Sequence, residues 1–319
     1  MRLRSALPLA LCLLLAACGS QPSSQHTQGV KPAGTEPVVM ARSAVAVTID
    51  NAPGAWPQAG IDKADLVFEF PAEGGITRYL AVFWQQNAAK IGPVRSTRIY
   101  FDDVAAAYGW PLAHAGGNVD ALNAIPKLGI QNIDQIYGSG AYFWRATDRT
   151  APHNLYTSTA DLEKAVSKDG YKPAVIPAFT HGRAQGQATT GVEITYADQP
   201  NVWVYQVGWK YQNGHYQRSI DGNDVVTQSG ASVRAQNVVI VSAQEFSDPD
   251  PYTPGSIDFT LTNGSGWLLQ GGKSVPIHWT FSSGFSFLLQ NGQNAPFAKG
   301  NTWVEVVPTG TTVSFTPAH

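Results

Sequence analysis

Between Glu73 and Asn118 the sequence gathers residue types that hold charge or move protons. There is a carboxylate at a Gly-Gly turn (Glu73-Gly74-Gly75), three arginines (Arg78, Arg95, Arg98), and a histidine ahead of a second glycine pair (His114-Ala115-Gly116-Gly117). Only 14% of the chain is charged, so this density reads as the floor of a binding site. Guanidiniums offer forked donors that match carboxylate and phosphate, and glycine pairs let a ligand approach backbone amides. Asp50-Asn51 closes an apolar run upstream, and Arg145 and His153-Asn154 follow downstream. The candidate ligand-binding residues are Asp50, Asn51, Arg78, Arg95, Ser96, Arg98, Gly116, Gly117, Arg145, His153 and Asn154. Glu73 and His114 are the candidates for acid–base work. Glu69 and Glu73, four apart around a turn, read either as a glycosidase-type carboxylate pair or as counter-ions for the arginines, and the arginine-rich setting favours the second.

Several chemistries are excluded. The two cysteines, Cys12 and Cys18, both lie in the leader region, so the folded part has no thiol nucleophile and no disulfide. G-x-S-x-G and S-x-x-K serine motifs are absent. The seven histidines are dispersed, with no H-x-x-x-H or H-E-x-x-H spacing, and no metal is assigned. A zinc site would have to draw His114, His153 and Glu73 together across the fold. The glycine pairs match neither a Walker loop nor a dinucleotide fingerprint, so no cofactor is expected. No basic run or positive excess points to nucleic acid.

The elements that must carry these residues are legible. Ala44–Ile49 is a β-branched strand; ending it in Asp50-Asn51 places polar side chains at the strand's carboxyl edge or in an Asx turn. Asp65–Phe70 and Thr77–Trp84 alternate as strands, with Arg78 on the face of Leu80 and Val82. A helix runs from Ile99 to Tyr108 with Ser96 or Thr97 as cap, which sets Arg95 and Arg98 at the positive end of its dipole. Asp102 and Asp103 offset part of that repulsion, or an anion does. Trp110–Ala115 is a strand, Asn118 caps a short helix, and Ser158-Thr159-Ala160-Asp161 is a capping box for a helix stopped by Gly170. Beyond the Pro/Gly/Gln-rich stretch 173–188 the period changes to two, with Asn213-Gly214, Asp221-Gly222, Asn263-Gly264 and Asn291-Gly292 as turns. The expected fold is an α/β (or α+β) domain with a mixed sheet over residues 44–183, then a mainly antiparallel β domain over 190–309. Separate sheets in the two halves and proteolytic sensitivity near 182–191 follow from that boundary.

The leader fixes the expected location. Met1-Arg2-Leu3-Arg4 is a basic n-region, Ala6–Leu15 an apolar segment too short to span a bilayer, and Leu15-Ala16-Ala17-Cys18 has the form of a lipobox. Residues 1–17 read as a signal peptide and Cys18 as the acylated first residue of the mature chain. Each buried methylene of an acyl chain contributes roughly 0.8 kcal/mol, so several chains anchor stably. Residues 18–43 carry the lipid and a polar tether whose reach is about 25 Å. The protein is expected on the extracytoplasmic side of a bacterial membrane. Loss of Arg2 and Arg4 takes the formal charge from −2 to −4.

Taken in order, Asp50-Asn51, Ala72-Glu73-Gly74-Gly75-Ile76-Thr77-Arg78, Lys90-Ile91-Gly92-Pro93-Val94-Arg95-Ser96-Thr97-Arg98, His114-Ala115-Gly116-Gly117, Phe143-Trp144-Arg145 and Ala151-Pro152-His153-Asn154-Leu155-Tyr156 resemble the DUF3048 family. Gly264-Ser265-Gly266, Trp279 and Gly300-Asn301-Thr302-Trp303 extend the resemblance to its C-terminal companion domain. The resemblance implies a two-domain bacterial surface lipoprotein and assigns no activity. Two functional classes remain. One is a membrane-anchored protein that binds or scaffolds an anionic cell-envelope polymer or an envelope protein. The other is an envelope hydrolase or transferase working through Glu73 and His114 in an Arg-lined pocket.

Overall fold

The computed structural model describes residues 44–168, 170, 174–197, 204–248 and 251–318. The signal peptide, Cys18 and the tether lie outside them. Val45–Asp50 (β1) is buried at all six positions, as a strand flanked on both faces must be. The chain then makes an antiparallel hairpin of Leu66–Pro71 (β2) and Thr77–Phe83 (β3), in which Glu69 faces Tyr79 and Phe70 faces Arg78. The second strand also pairs with β1, setting Asp50 opposite Arg78.

Helix α1 (Ile99–Tyr108) leads to Leu112–His114 (β4), which runs parallel to β1, and helix α2 (Val119–Leu128) leads to Asn132–Asp134 (β5), parallel to β4. Asn118 caps α2 by accepting from the Ala121 amide at 3.3 Å. The cap of α1 differs from expectation. Arg98 is its N-cap residue, without a side-chain cap. Thr97 instead donates to the buried Asp102 at 2.6 Å, because the carboxyl one turn into the helix needs a partner more than the solvated first turn does. Trp144–Arg145 (β6) and Leu155–Tyr156 (β7) form a two-residue ribbon. The Ser158 capping box then starts α3 (Thr159–Lys168), Ser158 accepting from the Asp161 amide at 3.1 Å and donating to its carboxylate at 2.7 Å.

From Gln187 onward every regular element among the described residues is a strand. Gln187–Ala197 (β8), Tyr205–Gln212 (β9) and His215–Ile220 (β10) make an antiparallel sheet whose Asn213-Gly214 turn has both residues at positive φ. Asn223–Asp224 (β11) and Arg234–Ala235 (β12) edge it on β10. Asn237–Ser247 (β13), Ile257–Thr260 (β14), Asn263–Gln270 (β15), Lys273–Phe281 (β16) and Phe285–Leu289 (β17) form an antiparallel run. Thr302–Pro308 (β18) pairs in parallel with β13, and Thr312–Pro317 (β19) joins β8.

The boundary between the halves is where expectation fails. The two halves do not hold separate sheets, because β18 pairs in parallel with β2, Glu305 lying beside Glu69. One mixed sheet therefore runs β5-β4-β1-β3-β2-β18-β13-β15-β16-β17, and a short β8–β16 pairing links it to the second sheet around β8, β9 and β10. The physical reason is that β2 is buried throughout, and an apolar strand left as a free edge invites the next available strand. Residues 174–188, although largely exposed, are pinned to the fold at several points. Ala174, Ile176 and Ala184 are buried, Gly182 donates to Phe297 at 3.0 Å, and a Cβ on Gly186 would lie 2.2 Å from the Ser274 carbonyl. The glycine at 186 permits that close contact. Asn263-Gly264 opens a strand instead of turning, with Gly264 set against Ser242 and Trp279. The fold also continues past residue 309 into β19.

The large sheet separates two cores. One face carries Ala46, Phe68, Phe70, Leu80 and Val239 under α1, with Tyr100, Phe101 and Val104. The other carries Val47, Val67, Tyr79 and Trp303 against Tyr205, Trp209 and Tyr216 of the second sheet and Leu162 of α3.

Candidate functional site

β1 and β4 run parallel, β4 closing at His114 two residues short of the level where Asp50 closes β1, and the chain returns past both through residues 94–98. The Arg95 amide donates to Thr48 at 3.0 Å, and the Ala115 amide donates to Arg95 at 3.0 Å. The carboxyl ends of parallel strands next to a helix N-terminus are where open sheets hold ligands.

Asp50 is the pivot. It is 1% exposed, and one carboxylate oxygen accepts from the Ala52 amide at 3.0 Å, closing the Asx turn. The other oxygen takes Nδ1 of His153 at 2.7 Å and lies 3.4 Å from Nε of Arg95. That last contact is an ion pair without hydrogen-bond alignment, since Nε itself finds no hydrogen-bond acceptor. The Arg95 side chain is 34% exposed and that of His153 26%. Neither the Nη atoms of Arg95 nor Nε2 of His153 meets a partner among the described residues. The His153 ring lies over Gly54, where an added Cβ would approach Cδ2 to 2.8 Å.

Beside this pivot, Arg78 projects from the β3 position opposite Asp50. It is buried, donates to the Ser96 carbonyl at 3.1 Å and lies 3.7 Å from Glu73, while its Nε has no hydrogen-bond partner. Burial, with the nearby Arg98 charge, pulls its pKa down to about 10. Arg98 pairs directly with Glu73 through Nε and donates to the Thr97 carbonyl at 2.6 Å. Burial works to raise the Glu73 pKa, but Arg98 and Arg78 more than offset it and hold the carboxyl below its usual range. Asp102 does not neutralise the arginines as expected. Desolvation raises it to about 8, so it is uncharged at neutral pH.

The remaining candidates divide. Ser96 supplies that carbonyl and donates its hydroxyl to Ala115 at 3.0 Å. His114 is fully buried, its Nδ1 2.8 Å from the Gly116 carbonyl and its Nε2 2.7 Å from the Asn132 side chain. It turns away from the arginines into the sheet edge, so the acid–base pair of Glu73 and His114 has one member sealed and the other locked in ion pairs. The Gly116 amide is taken by Asp134 at 3.0 Å, and Gly117 packs on Thr97; the glycine pair is close packing, not an open amide cradle. Asn51 is also internal, donating to Thr77 and Tyr205 and accepting from Trp56 and Gln58. Arg145 donates to Asn154 at 2.8 Å, and Asn154 ties down Ala146 and Arg149, a loop brace next to His153. Among the described residues no three His, Cys, Asp or Glu side chains gather as a metal site.

Sequence reasoning missed a second cluster. Glu69, Arg218 and Glu305 are all fully buried. Arg218 reaches Glu69 at 2.7 Å and Glu305 at 3.0 Å, and its guanidinium carbon lies 4.8 Å from the Trp303 ring centre. Thr77 and Tyr205 donate to Glu69; Trp209 and Tyr196 donate to Glu305 at 2.7 and 2.6 Å. Desolvation, reinforced by the Glu69 charge, raises Glu305 to about 8. The signal was present: each of the three occupies an inward position of an otherwise apolar alternating strand. Glu69 is thus an arginine counter-ion, as is Glu73.

Comparison with known proteins gives a consistent relationship. Residues 32–172 match the family model described as "Protein of unknown function (DUF3048) N-terminal domain", and residues 192–304 match its C-terminal counterpart. The chain is 33% identical over 285 residues to the Bacillus subtilis (strain 168) protein named "Putative lipoprotein YerB", covering 86% of this chain and 84% of that one. The crystal structure of the YerB protein from Bacillus subtilis superposes with a TM-score of 0.77 at 32% identity, covering 86% of this chain and 94% of that chain.

Proposed function

This chain belongs to the DUF3048 family, and from that premise we propose that it is a lipid-anchored envelope protein binding an anionic group of an envelope polymer or partner protein through Arg95. One observation carries the reading. Three guanidiniums (Arg78, Arg95, Arg98) share two carboxylates (Asp50, Glu73), and the guanidinium that reaches the surface, Arg95, leaves its Nη atoms without a partner among the described residues. Crowded cations with a charge to spare favour an anion, and the Arg fork fits phosphate or carboxylate. The buried Arg78 and Arg98 add positive potential from behind, less screened than surface charges.

The anchor reading rests on the Leu15-Ala16-Ala17-Cys18 sequence and on the lipoprotein name carried by the Bacillus relative. β1 begins just after the tether region, and Asp50 closes its far end, about 17 Å along the strand. Asp50 and Arg95 thus stand at the carboxyl end of β1.

Two measurements test this. In co-sedimentation of the purified protein with isolated wall polymer, Arg95→Ala is expected to lose binding while unfolding within about 1 kcal/mol of the parent, as a part-solvated residue does. Unchanged binding with unchanged stability refutes the site. In cell fractionation, Cys18→Ala is expected to leave the membrane fraction, and retention there refutes the anchor.

A further inference from the structure

The anion site has a second half, which bears on what else the ligand carries. Asp50 presents only acceptors to its neighbours: one oxygen to the Ala52 amide, the other to His153 and Arg95. The short 2.7 Å contact therefore places the ring proton on Nδ1 of His153. In a neutral imidazole the other nitrogen, Nε2, is then a bare acceptor. Gly54 packs against the Cδ2–Nε2 edge of the ring and Asp50 holds its Nδ1, while the side chain is 26% exposed. Arg95 and His153 flank one carboxylate oxygen, one side chain offering donors and the other an acceptor.

An anionic oxygen set against the Nε2 lone pair is repelled, whereas a hydroxyl there makes a hydrogen bond that replaces a water. We infer that the ligand is a hydroxylated anion, which places its phosphate or carboxylate on Arg95 and donates a neighbouring hydroxyl to Nε2 of His153. This rests on the proposed anion-binding role of Arg95 and narrows it to polyol phosphates and hydroxy acids. His153 is thus a specificity-determining residue, chosen by tautomer and not by charge.

Matched probe pairs test it by calorimetric titration of the whole protein: glycerol 1-phosphate against propyl phosphate, and lactate against propionate. The hydroxylated member of at least one pair is expected to bind about tenfold tighter, the size of one good hydrogen bond. The pair that shows the preference identifies the acid group. His153→Phe is expected to reduce the preference to within about twofold, while Arg95→Ala abolishes binding of both members. Equal binding within each pair overturns this inference and leaves the Arg95 reading standing; no binding of any probe to the parent overturns both. Because His153→Phe strips a partner from buried Asp50 and risks unfolding, ring ¹⁵N chemical shifts of the parent give an independent reading. They are expected to show protonated Nδ1 and bare Nε2 at neutral pH, and a protonated Nε2 overturns the inference outright.

Discussion

Replacing Glu305 by glutamine should stabilise the protein, and more so as pH rises. In the folded chain the Glu305 carboxyl titrates at about 8, against 4.5 for an ordinary glutamate. The folded state thus holds a proton that the unfolded chain releases from about pH 4.5 upward. The sign follows: a carboxyl with a raised folded pKa gives its full stability below 4.5 and loses it as pH climbs through 8. At about 1.36 kcal/mol per pH unit, the loss is about 3 kcal/mol at pH 7 and about 4 kcal/mol at pH 8, levelling off at about 5 kcal/mol above that. Glutamine reproduces the protonated form. Its carbonyl accepts from Trp209 and Arg218 as Oε1 does, and its amide meets Tyr196. Urea unfolding at pH 5, 7 and 8.5 should show the variant near parity at pH 5 and ahead by those amounts above. Asp102, raised from 3.8 to about 8 by burial, acts in the same sense in both proteins, so the variant keeps part of the slope. A variant less stable than the parent at pH 7, with a deficit that does not shrink toward pH 5, would refute the protonated Glu305 and show that it must be an anion.

Three other substitutions read the same structure. Arg218→Met should have the opposite effect, costing about 3–5 kcal/mol at pH 7 by leaving two buried carboxyls without their cation, measurable by the same unfolding. Gly54→Ala should shift the His153 ring off Asp50, because the new methyl meets Cδ2 at 2.8 Å; a changed His153 ¹⁵N signal with intact fold is the expected result, and an unchanged one refutes the contact. Tyr108→Phe should cost about 1–3 kcal/mol by stranding the buried Phe285 amide that donates to its hydroxyl at 2.7 Å, read as a lowered denaturant midpoint.

Local signals were legible where one residue settles the matter. Asn118, the Ser158 box and Asn213-Gly214 sit where their chemistry put them, because caps and tight turns depend on a few adjacent atoms. Composition misled where glycine has two uses. Gly186 and Gly264 were read as linker and turn, yet both stand where another backbone comes too close for a Cβ, and nothing within the window of sequence distinguishes the cases. The two histidines show the same limit. His114 and His153 each sit near glycine and polar residues, but which faces solvent depends on Asn132 and Asp50, remote from one of them in sequence. Glu69, Arg218 and Glu305 come from three separate parts of the chain, and only the pairing of β2 with β18 together with the packing of β10 against them joins the three.

That pairing has a consequence for how the protein is made. A chain is synthesised amino end first, and β2 must wait for β18, a strand far later in the sequence, before its second edge is covered. Until then an apolar edge and an unneutralised Glu69 stand open, and loop closure over so long a span is slow. The amino-terminal half is therefore no independent folding unit. A fragment that stops before β18 would keep that edge open.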